Sequence, residues 1–383
     1  MGSQDFLRRM PKTGMGFSRR YRFAQRFHID YMLLFLLVAI CCFGMMVLYS
    51  ASSSSMITMK KQGTFFLIAY CGMFMIAQIP VDFMRRAAPW LYAFGLILLV
   101  LVLMVGIGAK GAQRWLGIGS FRFQPSEVMK VAMPLMIAAF LSRQILPPRF
   151  LHIALTLIFI AIPTALIIKQ PDLGTSILVL VSGMVVLFYA GLQWWYIAFV
   201  IGAFGASLWP VWHFMLHDYQ QKRVLMLLDP ESDPLGAGWN IIQSKTAIGS
   251  GGLQGKGWLE GTQSRLDFLP EGHTDFIIAV MSEEFGLLGV LMLLVAYVLV
   301  IARCMFIAIN AQDTFGRLVA ASIATTFFVY VFVNMGMVAG MLPVVGVPLP
   351  FISQGGTAIV VLMSGFGILM AIATEPKRVM NPQ

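Results

Sequence analysis

The feature that most constrains this chain is a succession of apolar runs, each about long enough to cross a bilayer. A spanning helix needs about 20 apolar residues, and roughly ten runs approach that length. They cover residues 31–50, 63–80, 90–108, 127–143, 150–168, 173–190, 193–213, 276–302, 314–339 and 352–373. Of the 383 residues, 58% are hydrophobic and 11% charged, too apolar a balance for a soluble fold. We therefore predict an all-α polytopic membrane protein with about ten transmembrane helices.

The basic residues predict its orientation. With the N-terminus inside, the basic start of the chain, the short inner loops and the C-terminal tail hold 14 of the 27 Lys and Arg, and the short outer loops hold six. The positive-inside rule then places both termini in the cytoplasm. We expect a basic cytoplasmic tail at 1–28, a transmembrane domain at 29–376 and a second tail at 377–383. Because basic residues at helix ends serve as orientation signals, the net charge of +10 does not indicate nucleic-acid binding.

A polar stretch at about 213–274 interrupts the apolar pattern between predicted helices 7 and 8, and the orientation places it outside the membrane. Long loops of this kind are usually functional. It ends in a turn that contains Glu271 and then presents His273, Thr274 and Asp275 at the membrane surface.

Charges that border or enter spanning helices are costly and therefore candidates for function. Glu127 and Lys130 are three residues apart at a predicted helix start, which puts them on one helix face. They form either a structural ion pair or a site that binds an anion. Asp172 also begins a predicted helix, so it is either an N-cap or a site residue.

Asp275 presents the same choice, since Thr274 or Asp275 could cap the helix that follows. Two further acids, Glu283 and Glu284, lie within that predicted span, and such residues need a partner or a cavity. We expect Glu283 to pair with a basic group such as Lys130.

Trp115 is an aromatic residue at a predicted membrane boundary, where anchoring is the ordinary role. Its neighbours Lys110 and Arg114 give it a second interpretation, because cations at this position suit a pyrophosphate. The four cysteines follow no metal or disulfide spacing, and the Gly-rich segments lack the lysine of a nucleotide-binding loop.

Five motifs in order resemble the SEDS family (shape, elongation, division and sporulation proteins). They are KGAQRW at 110–115, FQPSE at 123–127, QPDLGT at 170–175, PEGHTDF at 270–276 and GVPLPFISQGG at 346–356. Gln354 is typical of the elongation branch, in place of the Tyr or Ser more often found in the division branch. Gly272 departs from the family, where Arg or Ala is commoner, and touches no expected chemical role.

The resemblance implies a peptidoglycan glycosyltransferase that polymerises lipid II on the outer face of the bacterial cytoplasmic membrane. It also implies a partner, a class B penicillin-binding protein that crosslinks the new strands. By position in the motifs, the essential aspartate of the family falls on Asp275, its loop tryptophan on Trp115, and its polar helix pair on Glu127 and Lys130.

The chemistry of such a reaction suits these residues. Asp275 is the candidate general base for the attacking sugar hydroxyl, and cations meet the departing pyrophosphate. A divalent ion, Mg²⁺ or Mn²⁺, could take part as well. The remaining candidates for substrate binding are Lys110, Arg114, Trp115, Asp172, Glu271, His273 and Thr274.

Two other functions are open to the same sequence. A lipid II flippase would also carry charges inside its bundle, but it would need polar residues through the whole depth, whereas here they gather near the outer surface. A scaffold without catalysis would leave Asp275 as a helix cap.

Overall fold

A computed structural model describes residues 27–109, 112–118, 121–193, 237–262 and 271–375, with isolated positions between 195 and 225. The predicted tails, 1–28 and 377–383, lie almost entirely outside these residues, and so does about half of the predicted helix 193–213.

The chain is a bundle of helices with one small sheet. The helices are α1 Tyr31–Ala51, α2 Met56–Ala77, α3 Val81–Val105, α4 Pro125–Leu141, α5 Phe150–Lys169, α6 Leu173–Tyr189, α7 Ala237–Gly251, α8 Ile277–Asn310, α9 Thr314–Val338 and α10 Thr357–Thr374. Six of them, α1, α3, α5, α8, α9 and α10, are long and apolar enough to cross a membrane, and α6 is a shorter apolar helix. Nine of the ten predicted runs overlap one of these helices.

Prolines lie inside three of the helices. The predicted helix 90–108 starts after Pro89, but α3 begins at Val81 and contains Pro89. Pro134 and Pro163 likewise lie inside α4 and α5. Helices that pack in a membrane tolerate proline because neighbouring groups satisfy the freed carbonyl.

The helical fold is confirmed, and residues 107–123 add a small sheet that the sequence did not predict. Strands β1 Ile107–Ala109, β2 Ala112–Ile118 and β3 Phe121–Phe123 form an antiparallel sheet in the order β1-β2-β3. The sheet follows α3 and leads directly into α4, and β2 contacts both helices. This arrangement fixes the position of the residues on β2 relative to the start of α4.

The predicted loop at 213–274 contains a helix, α7, that packs on α8 and α9. The turn after α7 docks on a break in α8 at Gly286, whose φ is 64°. At this break Leu287 N donates to Gly252 O (3.0 Å), and Lys256 N donates to Glu283 O (3.0 Å). The turn thus bonds to backbone groups at the interruption of α8, which is what a break in a buried helix requires.

The core and the surface both fit a protein surrounded by lipid. Phe327 packs edge-to-face on Phe366 at 5.3 Å between ring centroids, and Tyr297 lies on the other side of Phe327 at 5.7 Å. Large apolar side chains also face outward, among them Ile57 at 82% exposed and Trp90 at 79%. Exposed apolar surface on most of the long helices indicates that the bilayer covers them, so the chain is a multi-pass membrane protein.

Close packing of α1 on the segment before α10 gives a stability prediction. A Cβ added at Gly44 would lie 2.3 Å from the Phe351 carbonyl oxygen, whereas a Cβ at Gly72 in α2 would meet nothing within 4 Å. We expect Gly44→Ala to lower the free energy of unfolding by about 1–3 kcal/mol. Gly72→Ala is the matched control, and it should leave stability unchanged or raise it by up to about 1 kcal/mol. Thermal unfolding in one detergent measures both; equal melting temperatures would contradict the packing.

Candidate active site

A cavity of about 280 Å³ lies between the sheet, the first turns of α4 and α6, and the non-helical segment 346–356. Its volume is close to the lower end of the range for small-molecule sites. It is lined by five residues singled out from the sequence, Arg114, Trp115, Glu127, Lys130 and Asp172, together with further polar residues, Gln124, Thr175, Gln354 and Thr357. Four of the five motifs therefore meet in one place.

Glu127 and Lys130 form the ion pair that their spacing indicates. The helix begins with Pro125, and Glu127 lies in its first turn, where a carboxylate interacts well with the helix dipole. Lys130 Nζ lies 2.6 Å from Glu127 Oε1, and both side chains are buried. Lys130 also lies over the ring of Tyr330, 4.9 Å from its centroid. The second oxygen of Glu127 is buried and has no hydrogen-bond partner among the described residues.

Asp172 is both a helix cap and a cavity residue. Its Oδ1 accepts from Thr175 N at the start of α6 (3.3 Å), and its Oδ2 accepts from Gln124 Nε2 (3.0 Å). Arg114 Nε lies 3.8 Å from the same Oδ2, and the Arg114 guanidinium also donates to Pro171 O. The cavity thus contains a second pair of opposite charges, which ties β2 to α6.

Asp275 lies at the edge of this cavity and does not cap α8. The N-cap of α8 is Phe276, and no side chain forms a cap hydrogen bond there. A Cβ built on Gly346 would lie 3.4 Å from Asp275 Oδ2, so the carboxylate lies directly against Gly346, which lines the cavity. Asp275 thus lies one residue before the N-cap of α8 and beside the cavity.

The turn that carries Asp275 is bonded along its backbone to the segment before α10. Gln354 N donates to His273 O (3.0 Å), and Ser353 Oγ donates to Thr274 O (2.6 Å). The Thr274 hydroxyl donates to Glu271 Oε2 within the turn (2.8 Å). His273, Thr274 and Glu271 therefore adjoin the cavity without lining it. Lys110 lies outside the described residues.

Glu283 pairs with a basic group as expected, but that group is Lys256 and not Lys130. Glu283 is fully buried, and its Oε1 lies 2.6 Å from Lys256 Nζ, in the turn after α7. The same oxygen accepts from the backbone and hydroxyl of Thr262 (2.9 and 2.8 Å), and Glu284 accepts from the Ser50 hydroxyl. Lys130 instead forms its ion pair with Glu127, three residues earlier in the same helix.

Two buried amides were missed by the sequence analysis. Gln62 is 1% exposed; its Nε2 donates to Ser353 O, and its Oε1 accepts from Gly355 N, both at 3.3 Å. Asn334 is fully buried in α9. Polar amides inside a spanning helix are costly for the same reason as charges. That argument would have identified Asn334 within the predicted helix 314–339.

Comparisons with known proteins agree with the motifs. The family model FtsW/RodA/SpoVE, described as cell cycle protein, matches residues 31–378. The peptidoglycan glycosyltransferase MrdB of Escherichia coli K12 is 52% identical over 93% of this chain and 96% of its own length. A probable peptidoglycan glycosyltransferase FtsW of Trichlorobacter lovleyi is 38% identical over 91% of this chain and 94% of its own.

Solved structures give the same result. One, described as "Structural coordination of polymerization and crosslinking by a peptidoglycan synthase complex", superposes with a TM-score of 0.79 at 30% identity and covers 90% of this chain and 97% of that one. The crystal structure of the rod shape determining protein RodA of Thermus thermophilus superposes with a TM-score of 0.69 at 29% identity, covering 90% and 96%. The chain therefore belongs to the FtsW/RodA/SpoVE family, which is the SEDS family that its motifs resemble.

Proposed function

We propose that this chain is a peptidoglycan glycosyltransferase that polymerises lipid II at the outer face of the cytoplasmic membrane. The observation that carries the proposal is the carboxylate of Asp275 at the edge of a cavity with two pairs of opposite charges. The relatives named peptidoglycan glycosyltransferase, which match more than nine-tenths of the chain, support it.

The reaction joins a sugar hydroxyl to an anomeric carbon that carries a lipid pyrophosphate. Asp275 takes the proton from the hydroxyl as general base. Lys130 and Arg114 stabilise the charge that develops on the departing pyrophosphate. Negative charge near the sugar favours its oxocarbenium-like transition state, and Glu127 supplies it. Trp115, half-buried on β2, contacts the substrate at the mouth of the cavity.

The rival functions have less support. A scaffold leaves Asp275 as a cap, but no side chain among the described residues caps α8. A flippase that carries a charged headgroup needs charged groups along the depth of the bundle. The buried pairs Glu127–Lys130 and Glu283–Lys256 instead lie at helix ends that belong, in the proposed topology, to the outer half of the membrane.

Asp275→Asn is the sharpest test of the proposed base. Asn keeps the size of the side chain and loses the basic carboxylate, so we expect normal folding and a loss of at least ~100-fold in the polymerisation rate. The measurement is glycan polymer formed from lipid II by purified protein with its class B penicillin-binding protein, beside thermal unfolding in detergent. His273→Ala is the parallel variant and should remain active. Normal polymerisation by Asp275→Asn and an inactive His273→Ala would make His273 the base.

We further propose ten spans with both termini in the cytoplasm and the loop 213–274 outside. With the four native cysteines replaced, we expect Ser250→Cys to react with a membrane-impermeant thiol reagent in intact spheroplasts. Ser18→Cys should react only after lysis. Ser250 is exposed just before the end of α7, so access does not limit its labelling. Labelling at position 18 and not at 250 would reverse the topology and place the cavity on the wrong side.

The cavity also offers oxygen atoms that could bind a divalent cation together with the substrate. Glu127 and Asp172 offer the oxygen ligands that Mg²⁺ or Mn²⁺ prefers, and Glu127 has a spare buried oxygen. Within the described ranges no group of three or more His, Cys, Asp or Glu could hold a metal alone, so pyrophosphate oxygens would complete its ligands. When bound, the cation would neutralise charge on the leaving group.

We expect excess EDTA to lower the polymerisation rate and added Mg²⁺ or Mn²⁺ to restore it. The control is Ca²⁺, which prefers longer bonds and more ligands and should restore less. Full activity in excess chelator would leave Lys130 and Arg114 as the sole partners of the pyrophosphate.

The partner we propose is a class B penicillin-binding protein. The similar structure described as a complex that coordinates polymerization and crosslinking supports this, because strands made by one protein must reach the crosslinking enzyme. Contact with a second membrane protein would also bury part of the apolar surface of the long helices.

A further inference from the structure

One face of α9 carries a polar residue at every fourth position. The residues are Ser322, Thr326, Tyr330 and Asn334, and all four are at least nine-tenths buried. Residues four apart lie on the same helix face, so these side chains form a stripe along the helix. The last two of them, Tyr330 and Asn334, contact different parts of the candidate active site.

Asn334 joins two non-helical segments with one amide group. Its Nδ2 donates to the carbonyl oxygen of Asp275 (2.9 Å) and to that of Val347 (2.7 Å). Both partners are carbonyls, which only accept, so the NH₂ group must face them. Asn334 therefore fixes the backbone of Asp275 to the cavity wall, where Val347 and Gly346 lie side by side.

Tyr330, one turn earlier, reaches the other half of the site. Its ring lies beneath Lys130 Nζ, 4.9 Å from the centroid, and its side chain is 1% exposed. An aromatic face attracts an ammonium group most strongly where water is excluded. The ring thus limits where the Lys130 amine can lie, and Glu127 forms an ion pair with the same amine.

We propose that this face of α9 positions the base and the cation of the reaction relative to each other, Asn334 acting on Asp275 and Tyr330 on Lys130. Neither residue need touch the reacting atoms. The two are positioning residues that set the distance between the group that takes the proton and the group that receives the pyrophosphate. The inference rests on the proposed function, because it assigns those roles to Asp275 and Lys130.

The test for Asn334 compares two buried hydrogen-bonding residues of the same helix. Asn334→Leu removes both bonds to the site, and Ser322→Ala removes a bond of similar burial to Ser182 O (2.9 Å) in α6. Both variants should unfold at lower temperature than the parent. We expect Asn334→Leu to lose about 100-fold in kcat with little change in KM, the effect of a misplaced catalytic group. Ser322→Ala should keep the parent kcat.

The test for Tyr330 compares a variant that keeps the ring with one that removes it. Tyr330→Phe retains the aromatic face beneath Lys130 and should keep most of the parent kcat. Tyr330→Leu retains bulk alone, and we expect it to lower kcat at least ~10-fold at an unchanged fraction of folded protein. Equal kcat in the Phe and Leu variants would overturn the Tyr330 half of the inference.

The outcomes separate this inference from the proposed function. No polymer from the parent protein and its partner would reject the proposed function itself. An active parent, together with a folded Asn334→Leu that retains the parent kcat, would overturn the inference alone. If Asn334→Leu does not fold, Asn334→Ala replaces it. That variant also removes both donors in a smaller side chain, and a parent-like kcat in it would overturn the inference equally.

Discussion

Hydrocarbon offers no hydrogen bonds, so every backbone group that leaves a helix inside the bundle must find its partner within the protein. The candidate active site consists largely of such groups, because the turn before α8 and the segment 346–356 are both non-helical. Gln62 of α2 and Asn334 of α9 bond to these two segments, and Ser353 bonds one segment to the other. The cavity exists because these buried polar side chains make a non-helical wall stable at that depth.

The charges of the site follow the same constraint. Glu127 with Lys130, and Asp172 with Arg114, are each close to neutral as a pair, which reduces the cost of burying them. Removing one partner leaves the other uncompensated, so variants such as Lys130→Ala confound catalysis with stability. A pyrophosphate that enters the cavity competes with Glu127 and Asp172 for the two cations. When the pyrophosphate binds, each cation therefore exchanges a carboxylate for a phosphate oxygen, and this exchange lowers the affinity for the pyrophosphate.

The sequence was sufficient for most of the helices, because apolar runs of spanning length have few alternatives in a chain of this composition. It located Glu127, Lys130, Arg114, Trp115 and Asp172 as candidates, and the structure brings them to one cavity. It could not find β2, since a short strand in a polar link has no periodicity long enough to identify. It also assigned Glu283 the wrong partner, because the fold brings Lys256 to Glu283 and spacing in the chain does not show that contact.

The break in α8 has a consequence for how the protein fits its bilayer. A continuous helix of 34 residues would measure about 51 Å, well beyond a hydrocarbon core of about 30 Å. The part after Gly286, residues 287–310, measures about 36 Å and spans the core with modest tilt. The part before it, residues 277–285, is bonded to the turn after α7. The length that has to match the hydrocarbon thickness is therefore that of 287–310 alone, and the docked part next to Asp275 adds nothing to it.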